Sequence, residues 1–172
     1  KSNEADCIYA GILIDTNNFM TKTGVRTFEA AAFLRRNGAD VTRVRKLFRD
    51  DMQDYKARAA AISSAEIYRE AFSIGVCPSE GLPSPTIVCA QAANELLNII
   101  GIKASFVMTQ VKDTIFFSAR SIDEVNVQVM MEKLGGGGHR TIAGAQLKDA
   151  TMEEAREKLK AMLRQMIEKG EI

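Results

Sequence analysis

The sequence has little of what metal centres, disulfide frameworks and membrane spans require. Its 172 residues include one histidine, three cysteines, three prolines and no tryptophan. Cys7, Cys77 and Cys89 show no CxxC spacing, which predicts reduced thiols in a cytosolic protein and argues against a structural zinc site. The longest apolar run, 8–14, is far shorter than the ~20 residues of a membrane span. We therefore expect no membrane contact by this chain.

An excess of charge of one sign is also absent. Lys and Arg total 23 and Asp and Glu total 22, so the net charge is +1. This balance disfavours a protein that coats long nucleic acid by electrostatics alone. It remains compatible with a small anionic ligand that a few local groups hold. Hydrophobic residues make up 46% of the chain, which predicts a folded protein with a substantial core.

The periodicity of apolar residues predicts an α/β protein in three parts. Residues 1–50 have the pattern of a mostly helical remnant of a preceding α/β domain, and 51–64 that of a connecting helix. Residues 65–172 are predicted to form a C-terminal domain with the order β-α-β-β-α-β-α. The strands are expected at 66–76, 104–110, 114–120 and 142–147, and the helices at 84–101, at 126–134 and beyond 151.

Two of these helices begin with recognisable local signals. Ser84 followed by Pro85 is typical of an N-cap residue and the first helical position. Thr151 and Glu154 have the spacing of a capping box, in which each side chain bonds to the other residue's backbone N–H. Both helices are therefore predicted from short-range chemistry alone.

A run of four glycines, 135–138, lies between a predicted helix and a predicted strand and is followed by His139. Glycine allows positive φ and close approach of the backbone to a ligand. Successive N–H groups in such a loop can form an anion-binding concavity, and His139 could donate to a phosphate or stack on a base. The alternative is a flexible connector. A linker normally carries Ser and polar spacers, so we favour the ligand-binding interpretation.

The end of a predicted strand, Ser118 to Ser121, is a second candidate site. Arg120 could hold a phosphate through two parallel hydrogen bonds, with Ser118 and Ser121 adding hydroxyl donors. An ordinary surface arginine at a strand end is the simpler interpretation of these residues taken alone.

These motifs together resemble a known family. The segments 118–121, 126–128, 132–140 and 143–146 closely resemble the DHH-associated domain of DHH-family phosphoesterases, whose GGGH element is a substrate-binding signature. Further upstream, 10–19 and 23–30 resemble the end of the catalytic DHH domain. The longer Thr-Gly-Val-Arg-Thr-Phe-Glu-Ala phrase is most similar to the membrane-anchored cyclic-di-AMP phosphodiesterases of that family.

The resemblance implies a hydrolase with two metal ions, usually manganese, that activate a water for attack on a phosphodiester. It assigns Asp15 as a metal ligand, a role that suits a carboxylate and Mn²⁺. It implies a cyclic dinucleotide or a short oligonucleotide as the bound partner. The residues that it assigns to the phosphates and base of that partner are Ser118, Arg120, Gly136, Gly137, Gly138 and His139.

The manganese site is expected to be incomplete in this chain. In the family the paired histidines of the name motif precede the Asp-Thr phrase, whereas the only histidine here is His139. We therefore expect this chain to lack phosphodiesterase activity and to be part of a longer protein. That parent is expected to be anchored in the bacterial cell membrane, with this chain in its cytoplasmic domain. An exposed apolar face on 1–50 could pack on a second copy to give a homodimer.

Two alternatives remain open at this point. One is part of a short-oligonucleotide exonuclease or bisphosphate phosphatase of the same family. The other is a non-catalytic RNA- or nucleotide-binding module, since a related domain occurs in alanyl-tRNA synthetases. The metal-ligand phrase at Asp15 disfavours such a module, as does the lack of a basic stripe.

Overall fold

A computed structural model describes residues 2–122 and 124–172. The chain divides into two compact units, the first ending at Asp50 and the second extending from Asp51 to Ile172. Within the described residues, no helix combines the length and the apolar character needed to cross a membrane. Each unit has a hydrophobic core of its own.

The first unit consists of three helices. They are α1 (Ser2–Asp15), α2 (Val25–Arg36) and α3 (Val41–Leu47). The α3 helix begins where the Asp40 side chain accepts hydrogen bonds from the N–H groups of Thr42 and Arg43, a common N-cap arrangement. The core is built from small residues and three larger ones: Ala5, Tyr9, Ala10, Ala31, Leu34, Ala39 and Val44.

The second unit contains a six-stranded mixed sheet and four helices. In chain order its elements are α4 (Met52–Ser63), β1 (Glu66–Tyr68), β2 (Phe72–Val76), α5 (Pro85–Leu96), β3 (Ala104–Val111), β4 (Thr114–Ser121), α6 (Val127–Glu132), β5 (Gly137–His139), β6 (Ile142–Lys148) and α7 (Met152–Glu168). The strand order is β1-β2-β3-β4-β6-β5. Among the strands that the structure describes, only β2 and β3 pair in parallel. The predicted α/β class is confirmed.

Helices cover the two faces of the sheet unequally. On one face, α6 and α7 pack against alternate residues of β4, among them Ile115, Phe117 and Ala119, to form the main core. On the other face, α4 and α5 enclose a smaller cluster around Val107 of β3. Because side chains alternate along a strand, Ser118 and Arg120 of β4 lie on this second face.

The structure adds two strands to the predicted order. The segment 66–76, expected to be one extended strand, is a hairpin that turns at Arg69 and Glu70, which have φ of 51° and 59°. The helix expected at 84–101 ends at Leu96. Ser84 is at the N-cap position and Pro85 is the first helical residue, as predicted, but the Ser84 side chain makes no capping hydrogen bond. The capping box between Thr151 and Glu154 is also present. Residues 51–64, expected to connect two domains, form α4, which packs within the second unit.

Candidate functional site

The two predicted motifs face the same side of the sheet. Strand β6 lies between β4 and β5, and Arg120 of β4 is paired with Ile142, which is paired in turn with His139 of β5. Side chains that are paired in this way point to the same face. With two strand spacings between them, the Cα atoms of Arg120 and His139 are roughly 10 Å apart. Two residues 19 positions apart in the chain therefore flank one stretch of surface.

The neighbouring row of paired residues in the sheet has no side chain at its centre. Ser118 of β4 is paired with Gly144 of β6, and Gly144 is paired with Gly137 of β5. A Cβ atom at Gly137 would have no heavy atom within 4 Å, so the backbone here borders open space. No role was predicted for Gly144, although an isolated glycine inside a strand is a known sign of close backbone approach. A Cβ there would lie 2.8 Å from the Phe117 carbonyl oxygen.

The Ser118 row borders helix α5 through Cys89. The Cys89 Sγ donates to the Val107 carbonyl oxygen at 3.1 Å. Burial raises the pKa of the Cys89 thiol to about 12, and a hydrogen bond with the Ser118 side chain acts in the opposite direction. This thiol is therefore protonated at neutral pH and forms the buried wall behind Ser118. This contact could not be predicted from the sequence, because it joins a helix and a strand 29 residues apart.

Arg120 is partly buried and incompletely paired. Its Nη1 donates to the Ala119 carbonyl oxygen at 2.9 Å, whereas its Nε is buried and has no hydrogen-bond partner among the described residues. Burial lowers the pKa of the guanidinium from its ordinary value, against a smaller opposing effect of Cys89. A buried donor without a partner is costly, and an anionic oxygen placed beside it would remove that cost.

The glycine run is not the open loop that the sequence suggested. The Gly135 N–H donates to the Glu132 carbonyl oxygen at 3.0 Å, and the Gly136 N–H donates to the Met131 carbonyl oxygen at 2.8 Å. These two bonds close the C-terminus of α6, with Gly135 at a φ of 81°, in the manner of a glycine helix stop. The remaining glycines, 137 and 138, belong to the edge strand β5. The expectation that all four successive N–H groups form an anion-binding concavity is therefore wrong.

Two of the glycines are required by packing rather than by a ligand. A Cβ at Gly136 would overlap the Gly144 carbonyl oxygen and the Ala145 backbone. Gly138 has a φ of 147°, and a Cβ there would come within 2.5 Å of the Ala143 Cα. Side chains are excluded at both positions by the neighbouring β6 backbone. Gly137 is the member of the run with open space in front of it.

A shallow groove of about 650 Å³ lies over this part of the sheet. Its lining residues are Phe116, Phe117, Gly135, Gly136, Gly137, Gly144, Ala145, Gln146 and Lys148. The Ser118–Gly144–Gly137 row borders it, and Arg120 and His139 lie one row further along the same face. His139 is exposed. Of the predicted substrate residues, Gly136 and Gly137 line the groove. Ser118, Arg120 and His139 lie beside it on the same face of the sheet, and Phe116 lines its opposite end.

The predicted metal ligand belongs to the first unit. Asp15 is the last residue of α1 and is exposed. Among the residues that the structure describes, no three His, Cys, Asp or Glu side chains are grouped so that they could hold a metal ion. The described residues alone therefore do not fit a two-metal centre, and no catalytic step is assigned to them.

Comparison with known proteins identifies the second unit. The DHHA1 domain matches residues 84–169, half of the chain. The chain belongs to this family. Among its relatives, the cyclic-di-AMP phosphodiesterase PdeA of Listeria monocytogenes is 43% identical over 157 residues, which cover 91% of this chain and 24% of PdeA. The cyclic-di-AMP phosphodiesterase GdpP of Geobacillus thermodenitrificans is 44% identical over 168 residues, which cover 97% of this chain and 25% of GdpP.

The chain thus spans about a quarter of the length of these relatives. A solved structure, an exopolyphosphatase-related protein from Bacteroides fragilis, matches with a TM-score of 0.84 and 21% identity. That match covers 96% of this chain and 51% of the other. At this level of identity it establishes the fold, and the fold agrees with the resemblance drawn from the motifs.

Proposed function

We propose that this chain is the substrate-binding part of a phosphodiesterase that hydrolyses cyclic-di-AMP to linear di-adenylate. The observation that carries this proposal is the shared row of Arg120 and His139 beside a groove whose floor is Gly137 and Gly144. Support comes from the two relatives named as cyclic-di-AMP phosphodiesterases, at 43% and 44% identity. The groove has space for a nucleotide, and the row of Arg120 and His139 beside it has polar groups that can bind one.

In this proposal Arg120 and Ser118 bind a phosphate of the dinucleotide. The unpaired Nε of Arg120 donates to a phosphate oxygen, and the Ser118 hydroxyl adds a second donor. His139 is exposed at the edge strand and donates to a phosphate or packs on a base. Gly137 lets the nucleotide lie close to the backbone because it has no Cβ and a Cβ there would meet no protein atom within 4 Å.

Binding by these groups alone is expected to be weak. Three charge-assisted hydrogen bonds contribute roughly 4.5–9 kcal/mol, and association costs about 4 kcal/mol or more. The difference, about 0.5–5 kcal/mol, corresponds to a Kd of about 0.2 mM at the tightest. The tighter end of this range is within reach of chemical-shift titration.

The catalytic part of the proposal needs more metal ligands than the described residues supply. The whole protein is proposed to use two manganese ions, with Asp15 as one ligand, and this chain alone is proposed to be inactive. We further propose that the whole protein is membrane-anchored with this chain on the cytoplasmic side, and that the first unit contributes to a homodimer. Mn²⁺-dependent hydrolysis of cyclic-di-AMP by the purified chain would contradict the proposed inactivity.

The direct test is an amide-resolved NMR titration with cyclic-di-AMP, linear di-adenylate and a short single-stranded RNA without adenine. We expect shifts at 135–139 and 118–121 that are larger for the two adenine dinucleotides. His139→Ala and Arg120→Gln should each reduce the affinity at least several-fold. Arg120→Gln is chosen because it keeps the bulk of a partly buried side chain.

Gly137→Ala is the sharpest variant, since its added methyl group meets no protein atom within 4 Å and would occupy the groove. Gly11→Ala, which also adds a methyl in open space but in the first unit, is the matched control. We expect Gly137→Ala to weaken binding and Gly11→Ala to leave it unchanged. Equal shifts with every ligand would favour a general nucleotide or RNA binder. Absence of shifts at millimolar dinucleotide would refute the proposed site.

A further inference from the structure

A second groove, of about 820 Å³, lies on the other face of the sheet. It is formed by the end of α6, by β6 and by one side of α7. Three lysines, Lys133, Lys158 and Lys169, stand around an apolar floor that includes Leu134 and Leu147. The lysine side chains are exposed, and the two leucines are partly buried.

The groove is cationic. None of the described residues that line it is acidic. Glu171 approaches from the C-terminal end, where its Oε2 lies 3.0 Å from the Lys133 Nζ. Glu154, one turn before Lys158, accepts hydrogen bonds from the backbone and side chain of Thr151 and also interacts electrostatically with Lys158. Lys158 and Lys169 are thus the cations best placed to meet an anionic ligand.

The lysine groove is continuous with the candidate site around the free edge of β6. Strand β5 pairs with β6 only over Ile142–Gly144, so the β5 side of 146–148 carries no strand. Along this edge Leu147 points into the lysine groove, whereas Gln146 and Lys148 line the first groove on the opposite face. The adjacent residues Leu134 and Gly135 likewise line one groove each. A chain-like ligand could therefore pass from one groove to the other over a single strand edge.

We infer that the lysine groove binds the phosphates of a linear single-stranded oligonucleotide whose terminal dinucleotide occupies the candidate site. This inference rests on the proposed function. Lysines around the groove supply sequence-independent attraction to the backbone, and the apolar floor accepts sugar and base edges. No aromatic residue lines the groove, so strong base stacking is not part of the inference. An acidic peptide would suit the charges equally, but the continuity with a nucleotide site favours the oligonucleotide.

The test compares a dinucleotide with a longer chain on the intact protein. Binding of linear di-adenylate and of tetra-adenylate RNA is followed by NMR and by fluorescence anisotropy, in wild type and in a Lys158→Gln/Lys169→Gln double variant. The matched control is Lys103→Gln, which changes an exposed lysine that lines neither groove. We expect tetra-adenylate to bind more tightly than di-adenylate and to shift amides of 158–169 in addition to those of 135–139.

The double variant should lose about fivefold in tetra-adenylate affinity for each lysine. The slope of log K against log salt should become shallower by about 0.7 for each lost phosphate contact. Its affinity for di-adenylate, and the behaviour of Lys103→Gln, should match wild type. Glutamine keeps most of the lysine stem, so the fold is expected to persist, and wild-type amide dispersion in the variant verifies this.

Each contrary outcome has a distinct meaning. If di-adenylate shifts the glycine run but tetra-adenylate gains nothing from Lys158 and Lys169, the lysine-groove inference is overturned and the proposed function stands. If a tetraglutamate peptide binds there with equal affinity and equal lysine dependence, the oligonucleotide assignment is overturned. If di-adenylate fails to shift the glycine run at all, the proposed function fails and the continuity argument fails with it.

Discussion

The two units bury their apolar side chains in different ways. In the first unit three helices share a core made largely of alanines with Tyr9, Leu34 and Val44, and larger apolar side chains such as Phe28 and Phe33 remain exposed at 54% and 60%. In the second unit a six-stranded sheet is packed on both faces, and Leu159 and Leu163 are fully buried. A sheet between helix layers removes more apolar surface from water than three short helices can. The second unit is therefore expected to be the stable part of the chain.

The largest expected difference between the two units is in the reaction rate of their thiols. Cys7 in the first unit is exposed, whereas Cys77 and Cys89 in the second are buried, and burial raises their pKa values to about 11 and about 12. At pH 8 a thiol with a pKa of 11 is ionised to only about one part in a thousand, and the thiolate is the reactive form. We expect one fast thiol in a reaction with Ellman's reagent.

Two controls accompany the thiol measurement. Cys7→Ser should abolish the fast phase, and all three thiols should react in denaturant. A second fast thiol in the native protein would mean that the core of the second unit opens readily. The second unit would then not be the more stable part of the chain.

The next effect in size concerns the main core. Leu159→Ala removes a fully buried side chain of α7 and should lower the free energy of unfolding of the second unit by about 2–5 kcal/mol. Urea unfolding followed by circular dichroism measures this as a lower midpoint at an unchanged m-value. Ile100→Ala, at a fully exposed position, is expected to change stability by no more than about 0.5 kcal/mol. Similar losses from both variants would show that α7 does not pack as described.

Local chemistry made part of this fold predictable. The start of α5 follows from Pro85, which is favoured at the first helical position, and that of α7 from the Thr151–Glu154 box, because such signals depend on a few adjacent residues. The hairpin at Arg69 and Glu70 was missed because its left-handed turn contains neither glycine nor asparagine, the residues that normally announce one.

The arrangement of the proposed site residues could not be predicted from the sequence. Arg120 and His139 were named from motifs, yet their common row depends on β6, which follows both in sequence and lies between them in the sheet. The glycine run was expected to be a loop because its pairing with β6 is a tertiary contact. Gly144 and Cys89 were missed for the same reason, since only strand register brings Gly144 to the groove and only helix packing brings Cys89 to Ser118.

A pair of glycine variants tests this arrangement within the second unit. Gly138→Ala places a side chain at a φ of 147° and against the Ala143 backbone, so it should cost about 1–3 kcal/mol from backbone strain and displace β5. Gly137→Ala should leave the free energy of unfolding nearly unchanged. Thermal unfolding of the two variants measures the difference. Equal stability of both would mean that β5 does not pair with β6 in the register found here.

The smallest effect is the pH dependence of the first unit, and it comes from one buried carboxylate. Asp6 accepts from the Arg43 Nε at 2.6 Å and from the Asp40 N–H at 2.7 Å. These hydrogen bonds, that of Arg43 first, lower the pKa of Asp6. A carboxyl whose pKa is depressed in the folded state stabilises it fully above the unfolded pKa of about 4 and loses that contribution as the pH falls through the folded value. The first unit should therefore loosen on acidification from pH 5 to pH 2.

NMR signals of Val44 and Leu34 report on the first unit, and those of Leu159 report on the second. In wild type the signals of Val44 and Leu34 should weaken at a higher pH than those of Leu159. Asp6→Asn removes the titrating group, so the first unit should be less stable at pH 7 yet change less between pH 5 and pH 2, with a residual dependence from Asp40, whose pKa is also lowered, chiefly by the Arg43 backbone N–H. If wild type and variant lose the first unit over the same pH range, the carboxylate does not hold the three helices together. The stability of this unit would then rest on its alanine core alone.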